Sequence, residues 1–375
     1  MPASTMTDER IALARPWLGD EEQAALSAVL HSNILSRGNA LLAFEKNMAR
    51  LAGTDAAVGV NSGTSAIQIA LEALDIQPGD EVITVSYTFI GTLNAITRAG
   101  ATPVLVDIDP ATLNIDPKRL AEALTDRTRA IVVVHLFGRP APIDEIRRLI
   151  QGRPIRIIED ACEAIGARYR GRPAGGLADA GTFGFYPNKP VATGEGGMIT
   201  ASDPDFITRC RQLRNQGLDP LTGQRHPTRA GLSARLSELQ AAVGTVQLQR
   251  LEQSLNRRER LAEAYIERLS TLANVELPAP AEANDRISWF TFPLRVIAAE
   301  RRDALRDFLA EQQIETGLYF QPAHHLPPYR DAALRHSLAT SEDIGQRCLA
   351  LPLHPVMDMD QLDRICSAIV SFFKR

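Results

Sequence analysis

The chain has 375 residues, of which 45% are hydrophobic and 23% charged, with 41 Lys+Arg against 45 Asp+Glu and a formal net charge of -4. These values exclude a fibrous, collagen-like or mostly disordered chain, and they leave no basic surplus with which to neutralise a nucleic-acid backbone. The length suggests two domains.

Residues Met1 to Arg15 include Asp8 and Glu9 and no apolar run, and no later stretch is apolar enough to span a bilayer. This reads as a cytoplasmic protein with neither a membrane nor a nucleic-acid partner. Between residues 56 and 200 short β-branched runs alternate with helical periodicity, the pattern of βα units in a largely parallel sheet. The expected strands are Ala56–Val60, Glu81–Val85, Val104–Asp107, Ala130–His135, Ile155–Glu159, Thr182–Tyr186 and Gly197–Thr200. The expected helices between them are Ser65–Leu74, Ile90–Arg98, Pro117–Leu124 and Ile143–Ile150. A helix near Phe206–Leu213 leads into a Gly/Pro/Arg-rich loop, Gly217–Gly231, and a Pro-free stretch from Ser237 to Leu269 predicts one long helix or two. Strand-like Ile287–Val296 and helix Glu300–Gln312 then read as part of a smaller α+β unit. The expected division is a large α/β domain over residues 1–250, N-terminal arm included, and a small C-terminal α+β domain over 251–375. Cys162, Cys210, Cys348 and Cys366 lack paired spacing and read as reduced, mostly buried thiols.

Three segments carry the types of residue that chemistry needs. Asn61-Ser62-Gly63-Thr64-Ser65 joins a strand to a helix, where free N–H groups beside hydroxyls make a phosphate site. Alone, such a segment is more often a plain N-cap. Glu159-Asp160-Ala161-Cys162-Glu163 places carboxylates at the C-terminal end of a buried strand, where open α/β sheets hold ligands. Two acids capping the next helix would look the same. Lys189 lies between Pro187-Asn188 and Pro190 and precedes the Gly-rich turn Gly194-Glu195-Gly196-Gly197, the setting of a lysine held for Schiff-base formation. Together, cradle, acid and lysine match the demands of pyridoxal 5′-phosphate: a phosphate anchor, a carboxylate for the pyridine nitrogen and an amine for the aldehyde.

With Pro78-Gly79-Asp80-Glu81-Val82-Ile83, Tyr87-Thr88-Phe89, Pro103-Val104-Leu105-Val106-Asp107, Val134-His135-Leu136-Phe137-Gly138 and Phe185-Tyr186-Pro187-Asn188-Lys189 in the same order, the sequence resembles the DegT/DnrJ/StrS sugar aminotransferase family. The likeness runs from about Ile34 to Gln249, with weaker echoes at Phe320–Tyr329 and Leu351–Pro355. It implies a type I aminotransferase fold, pyridoxal 5′-phosphate as cofactor, and a homodimer whose active sites lie at the subunit interface. It also implies transfer of an amino group from glutamate or glutamine to a keto-sugar, with a nucleotide-linked sugar the expected form. In that register Lys189 matches the cofactor-binding lysine and proton shuttle, and Asp160 the partner of the pyridine nitrogen. Phe89 matches the ring-stacking aromatic, and Gly63, Thr64 and Ser65 the phosphate cradle.

Three positions depart from the family's usual pattern. Gly184 stands where many members have a phosphate-binding serine, and Ser233, in Gly231-Leu232-Ser233-Ala234-Arg235, where many have an asparagine offered to the partner's cofactor. Glu163 replaces a glutamine that faces the cofactor's phenolic oxygen. Arg235, His324 and His325 are further candidates on the substrate side. With no third ligand near the two histidines in sequence, no metal site is expected. His135 could face the cofactor or be a hydrogen-bonded structural histidine. Lys189 argues against the family's deoxysugar dehydratases, which carry histidine there. A non-catalytic regulator sensing cofactor or sugar, or an aminotransferase for a cyclitol or other cyclic ketone, are the remaining alternatives.

Overall fold

The computed structural model describes residues 10–218 and 226–375. In chain order, α1 (Asp20–Ser32) and α2 (Asn39–Ala52) precede β1 (Ala56–Val60), α3 (Gly63–Ala73), β2 (Glu81–Val85), α4 (Ile90–Arg98), β3 (Thr102–Val106) and α5 (Pro117–Ala123). There follow β4 (Thr128–Val134), α6 (Ile143–Leu149), β5 (Arg156–Asp160), a short hairpin of β6 (Arg168–Tyr169) and β7 (Arg172–Pro173), then β8 (Ala180–Gly184), β9 (Gly197–Ala201) and α7 (Pro204–Arg214). The rest comprises α8 (Glu238–Gln249), α9 (Leu251–Leu269), β10 (Val275–Glu276), β11 (Phe292–Val296), α10 (Glu300–Glu311), β12 (Ala333–Leu334), α11 (Ala339–Arg347), β13 (Cys348–Leu351) and α12 (Met359–Phe373). Among the described residues no helix is long and apolar enough to cross a membrane.

The large sheet has the order β1-β9-β8-β5-β4-β2-β3-β12. β9 runs antiparallel to both neighbours, and every other pairing is parallel. Such a sheet must be covered on both faces, so its strands are apolar throughout and not alternating. Ile83, Val85, Ile131, Val133 and Ile157 enter one core, with Phe44, Met48 and Phe185. Their neighbours Val82, Val132 and Ile158 enter the other, against α3, α4 and α7. A third core, with Tyr265, Phe292, Leu294, Leu309, Leu349 and Ile365, surrounds the antiparallel sheet β10-β11-β13.

The structure decides between some expectations and corrects others. The stretch 237–269 is two helices, broken at Arg250 (φ -98°, ψ 0°). The strand expected at Ile287–Val296 is confined to Phe292–Val296, because residues 288–290 instead bond across to another loop: Ser288 N donates to Gly138 O (3.0 Å) and Phe290 N to Phe137 O (3.2 Å). The Gly217–Gly231 loop lies partly outside the described residues. The large sheet also recruits β12 from the C-terminal third, while Ile11 joins the third core, a long-range exchange that local periodicity does not reveal.

One buried acid joins distant segments. Glu238 opens α8 behind a Ser237 capping box, and its carboxylate accepts from Gly38 N (2.8 Å), Ala40 N (2.8 Å) and Leu41 N (3.0 Å), so it caps α2 from outside. An amide at this position keeps one acceptor but turns an NH2 group toward donors. Glu238→Gln is expected to cost about 1–3 kcal/mol. A clear fall in thermal midpoint by circular dichroism checks this; an unchanged midpoint would refute the cap.

Candidate active site

A cavity of about 460 Å³ opens at the carboxyl ends of β5 and β8, the place where a parallel sheet leaves room between its helices. Its wall is built from the β1–α3 turn, the start of α4, the end of β5, the turn after β8 and, from the C-terminal half, Phe290, Tyr319 and Phe320. Gly63, Thr64, Phe89, Asp160, Glu163 and Lys189 all line it.

The α3 end is positive by construction. Ser62 is the N-cap in extended backbone, its Oγ accepting from Ser65 N (3.1 Å) and donating to Ser65 Oγ (3.0 Å). Ser65 is thereby engaged in the cap and lies off the cavity wall. The first turn of α3 holds no acid, so the field of its leading N–H groups is left for an anion. The capping and phosphate readings of this segment are thus compatible: Ser62 caps, and Gly63 and Thr64 face the cavity.

Alternation along β5 separates its two acids. Glu159 turns to the core face, where its carboxylate meets His135 Nε2 (2.9 Å) and accepts from Gly175 N, Leu177 N and Ala178 N at 2.7–2.9 Å. His135 Nδ1 accepts from Ala141 N (2.9 Å), which puts the ring proton on Nε2 and makes this fully buried histidine a structural one. Asp160 turns the other way, accepting from Thr92 Oγ1 at 2.7 Å and from Cys162 N at 3.2 Å.

Lys189 sits in a turn closed by its own N–H donating to Tyr186 O (2.9 Å). Its Nζ is 3.5 Å from Glu163 Oε1 and 4.0 Å from the centroid of the Phe290 ring, with 14% of the side chain exposed. Lys46, Lys118 and Lys374, the other three lysines of the chain, are all exposed at the surface. Burial holds the Glu163 carboxyl above its usual range, opposed by Lys189 and by the Phe137 N–H it accepts at 2.9 Å. Burial, reinforced by Asp160, keeps the Cys162 thiol well above the ordinary range.

Besides Ser65, four further candidates from the sequence, Ser233, Arg235, His324 and His325, lie off this wall. Arg235 donates to Asn215 Oδ1 (3.1 Å) and Ser233 Oγ (2.8 Å), and His324 and His325 form a cluster with Glu342. Thr92, Phe290, Tyr319 and Phe320 were not singled out beforehand. Thr92 lies in the first turn of α4, a position that gains meaning only once Asp160 is known to face it.

The sequence model of the DegT/DnrJ/EryC1/StrS aminotransferase family matches residues 16–370. The chain belongs to the DegT/DnrJ/EryC1/StrS aminotransferase family. GDP-perosamine synthase of Caulobacter vibrioides is 39% identical over 363 residues, covering 96% of this chain and 97% of that protein. The dTDP-3-amino-3,4,6-trideoxy-alpha-D-glucose transaminase of Streptomyces venezuelae is 39% identical over 358 residues, covering 95% and 93%. Among solved structures, S. venezuelae DesV in complex with a ketimine intermediate is 37% identical, with a TM-score of 0.90 over 97% of this chain and 100% of that one. As a DegT/DnrJ/EryC1/StrS member this chain is an aminotransferase that uses pyridoxal 5′-phosphate, with the type I aminotransferase fold. The donor set fits that cofactor: an acid-free helix start for the phosphate, a buried carboxylate held by Thr92, and a lysine on the same wall.

The geometry also bears on the cradle. A Cβ at Gly63 would stand 2.7 Å from Cys162 Sγ and 3.2 Å from Gly184 Cα, whereas one at Gly184 would meet nothing closer than 3.4 Å. Gly63→Ala should therefore weaken cofactor binding to the apoprotein by about tenfold or more, the equivalent of roughly one lost hydrogen bond or a displaced turn. Gly184→Ser should bind within about tenfold of wild type. Titration followed by cofactor absorbance checks both, and equal losses in the two variants would contradict the geometry.

Proposed function

We propose that this aminotransferase moves an amino group from glutamate or glutamine to a keto-sugar carried on a nucleotide, in amino-sugar biosynthesis. The observation that carries the reading is the meeting of Lys189, Asp160 and the α3 start on one cavity wall. The GDP- and dTDP-linked names of two relatives matched almost end to end support the nucleotide.

When bound, pyridoxal phosphate supplies an aldehyde that carries nitrogen and a ring that takes up the electron pair left by a departing proton. In this reading the backbone at Gly63 and Thr64 binds the phosphate. Asp160, fixed by Thr92 and the Cys162 N–H, keeps a proton on the ring nitrogen by its adjacent charge. Lys189 Nζ would hold the cofactor at its aldehyde carbon and, when free, would move the proton at the substrate carbon. Phe89 orients the ring from the open side, where it is itself 58% exposed. Glu163 accepts from Phe137 N and stands beside Lys189, and burial, which holds its carboxyl above the usual range, is its setting where it would face the phenolic oxygen.

We also propose a homodimer. Leu18, Leu30, Ile34, Leu35 and Leu42, on and around α1 and α2, are each more than half exposed, an apolar surface of the kind a partner covers. Ser233 and Arg235 would then serve the partner's cavity, and the units 1–250 and 251–375 are the working division of each protomer. Sedimentation should give a dimer at assay concentration; an active monomer would rule out shared sites.

The deciding test uses the small number of lysines. Borohydride reduction and peptide mapping should place the pyridoxyl mass on Lys189, and Lys189→Ala should bind cofactor yet lose about 10²–10⁴-fold or more in rate. The pyridoxamine form should then aminate a nucleotide-linked keto-sugar in a single turnover, read by product mass. Label on another lysine would overturn the site. Cofactor binding without turnover of any keto-sugar nucleotide or cyclic ketone would favour a sensor.

A further inference from the structure

We propose that His324, His325 and Glu342 form a binding site for a divalent transition-metal ion of the zinc class. The inference is independent of the substrate reading. His324 and His325 close a short turn, Ala323–His325, and their rings are 4.2 Å apart between centroids. Glu342 is contributed by α11, 18 residues further on. Its Oε1 lies 3.1 Å from His324 Nε2 and 3.7 Å from His325 Nε2, and one ligand atom from each of the three residues lies within 4.8 Å of the others.

Those separations suit a metal. Zn–N and Zn–O bonds of about 2.0–2.2 Å at tetrahedral angles put neighbouring ligand atoms roughly 3.4 Å apart. The 3.1 and 3.7 Å separations bracket that value, and rotation of the half-exposed His325 ring would close the remaining gap. His325 and Glu342 face water, which leaves room for a solvent molecule as fourth ligand, while His324 is nearly buried. His₂Glu with an open position is an established zinc ligand set in chemistry generally.

The support behind the ligands is already in place. His324 Nδ1 lies 2.7 Å from Ser86 Oγ. Without metal, Ser86 can donate to Nδ1 while Nε2–H donates to Glu342. With metal, Nδ1–H donates to Ser86 Oγ and Nε2 offers its lone pair, so the hydroxyl, able to donate or accept, holds the ring in place in either state. Ala323 N donates to Ser86 O (2.8 Å), which anchors the turn. On the other side α11 is packed at contact distance, since a Cβ at Gly345 would stand 2.6 Å from Pro322 Cδ. Both halves of the ligand set are thus held before any ion arrives.

A bound ion would tie α11 to the segment that carries Tyr319 and Phe320 to the cofactor cavity. The test uses the holoenzyme and Zn²⁺ or Co²⁺ alone. Calorimetry should find one Zn²⁺ per chain with Kd below about 10 μM, and Co²⁺ should give ligand-field bands of a four-coordinate site at wavelengths beyond the cofactor's absorption. His325→Ala and the isosteric Glu342→Gln, each checked for native circular dichroism, should each weaken Zn²⁺ binding by about tenfold or more. Zn²⁺ should also slow amide exchange over residues 318–326 in the wild type alone. No binding in this range, or full affinity in either variant, would overturn the site.

Discussion

The active cavity depends on backbone lying against backbone at the carboxyl ends of the strands. A Cβ on Gly197 would stand 2.3 Å from Ser62 O, and one on Gly63 would press on Cys162 and Gly184. The start of α3 can therefore rest directly on β8 and β9 only because bare glycine lies beneath it. That close seat aims the helix field into the sheet crevice and brings it to the same opening as the end of β5. A side chain at either glycine would lift the helix and separate the anion site from the acid and the lysine.

The second ordering principle is the two-residue period of β5. Glu159 and Asp160 are adjacent in sequence and have unlike fates because successive side chains point to opposite faces. Glu159 is consumed by four hydrogen-bond partners and stabilises the loop at residues 175–178. Among the described residues the Asp160 carboxylate accepts from Thr92 Oγ1 and from Cys162, and its face is the one that reaches the cavity. A buried carboxylate with fewer donors around it is costly, and a cationic ring nitrogen is the kind of partner that offsets that cost.

Much of this was legible in the sequence where the signal was local. Strands β1 and β2 and helix α4 were placed at their observed ends, since Pro, Gly and β-branched runs mark them directly. Lys189 stood out because prolines and glycines around it speak of a fixed loop. Pairings across long distances were not legible. Nothing in Ala333–Leu334 announces an edge strand of the large sheet, and nothing near His324 announces Glu342, because α11 meets the histidine turn only after the chain has folded. Trp289 and Phe290 looked like strand for a related reason: their aromatic character suits a pleated surface, yet hydrogen bonds to Phe137 and Gly138 take up the backbone that a ladder would need.

Phe290 shows how the C-terminal half reaches the chemistry. Arg258, on α9, is fully buried without a carboxylate, and burial brings its guanidinium down to about 10. Its Nη1 instead donates to three carbonyls, Trp289 O (3.1 Å), Phe290 O (3.2 Å) and Leu353 O (2.8 Å). The three carbonyls accept from Nη1, while Nε has no hydrogen-bond partner among the described residues, and they bind α9 to the chain just before β11 and just after β13. The same bonds fix the backbone that presents the Phe290 ring face to Lys189 Nζ, an attractive arrangement for an ammonium group. The amine is thus held between Glu163, from the β5 side, and a ring that α9 keeps in place. Its position is set by both halves of the chain at once, so a shift of α9 against the large sheet would be felt first at Lys189 Nζ.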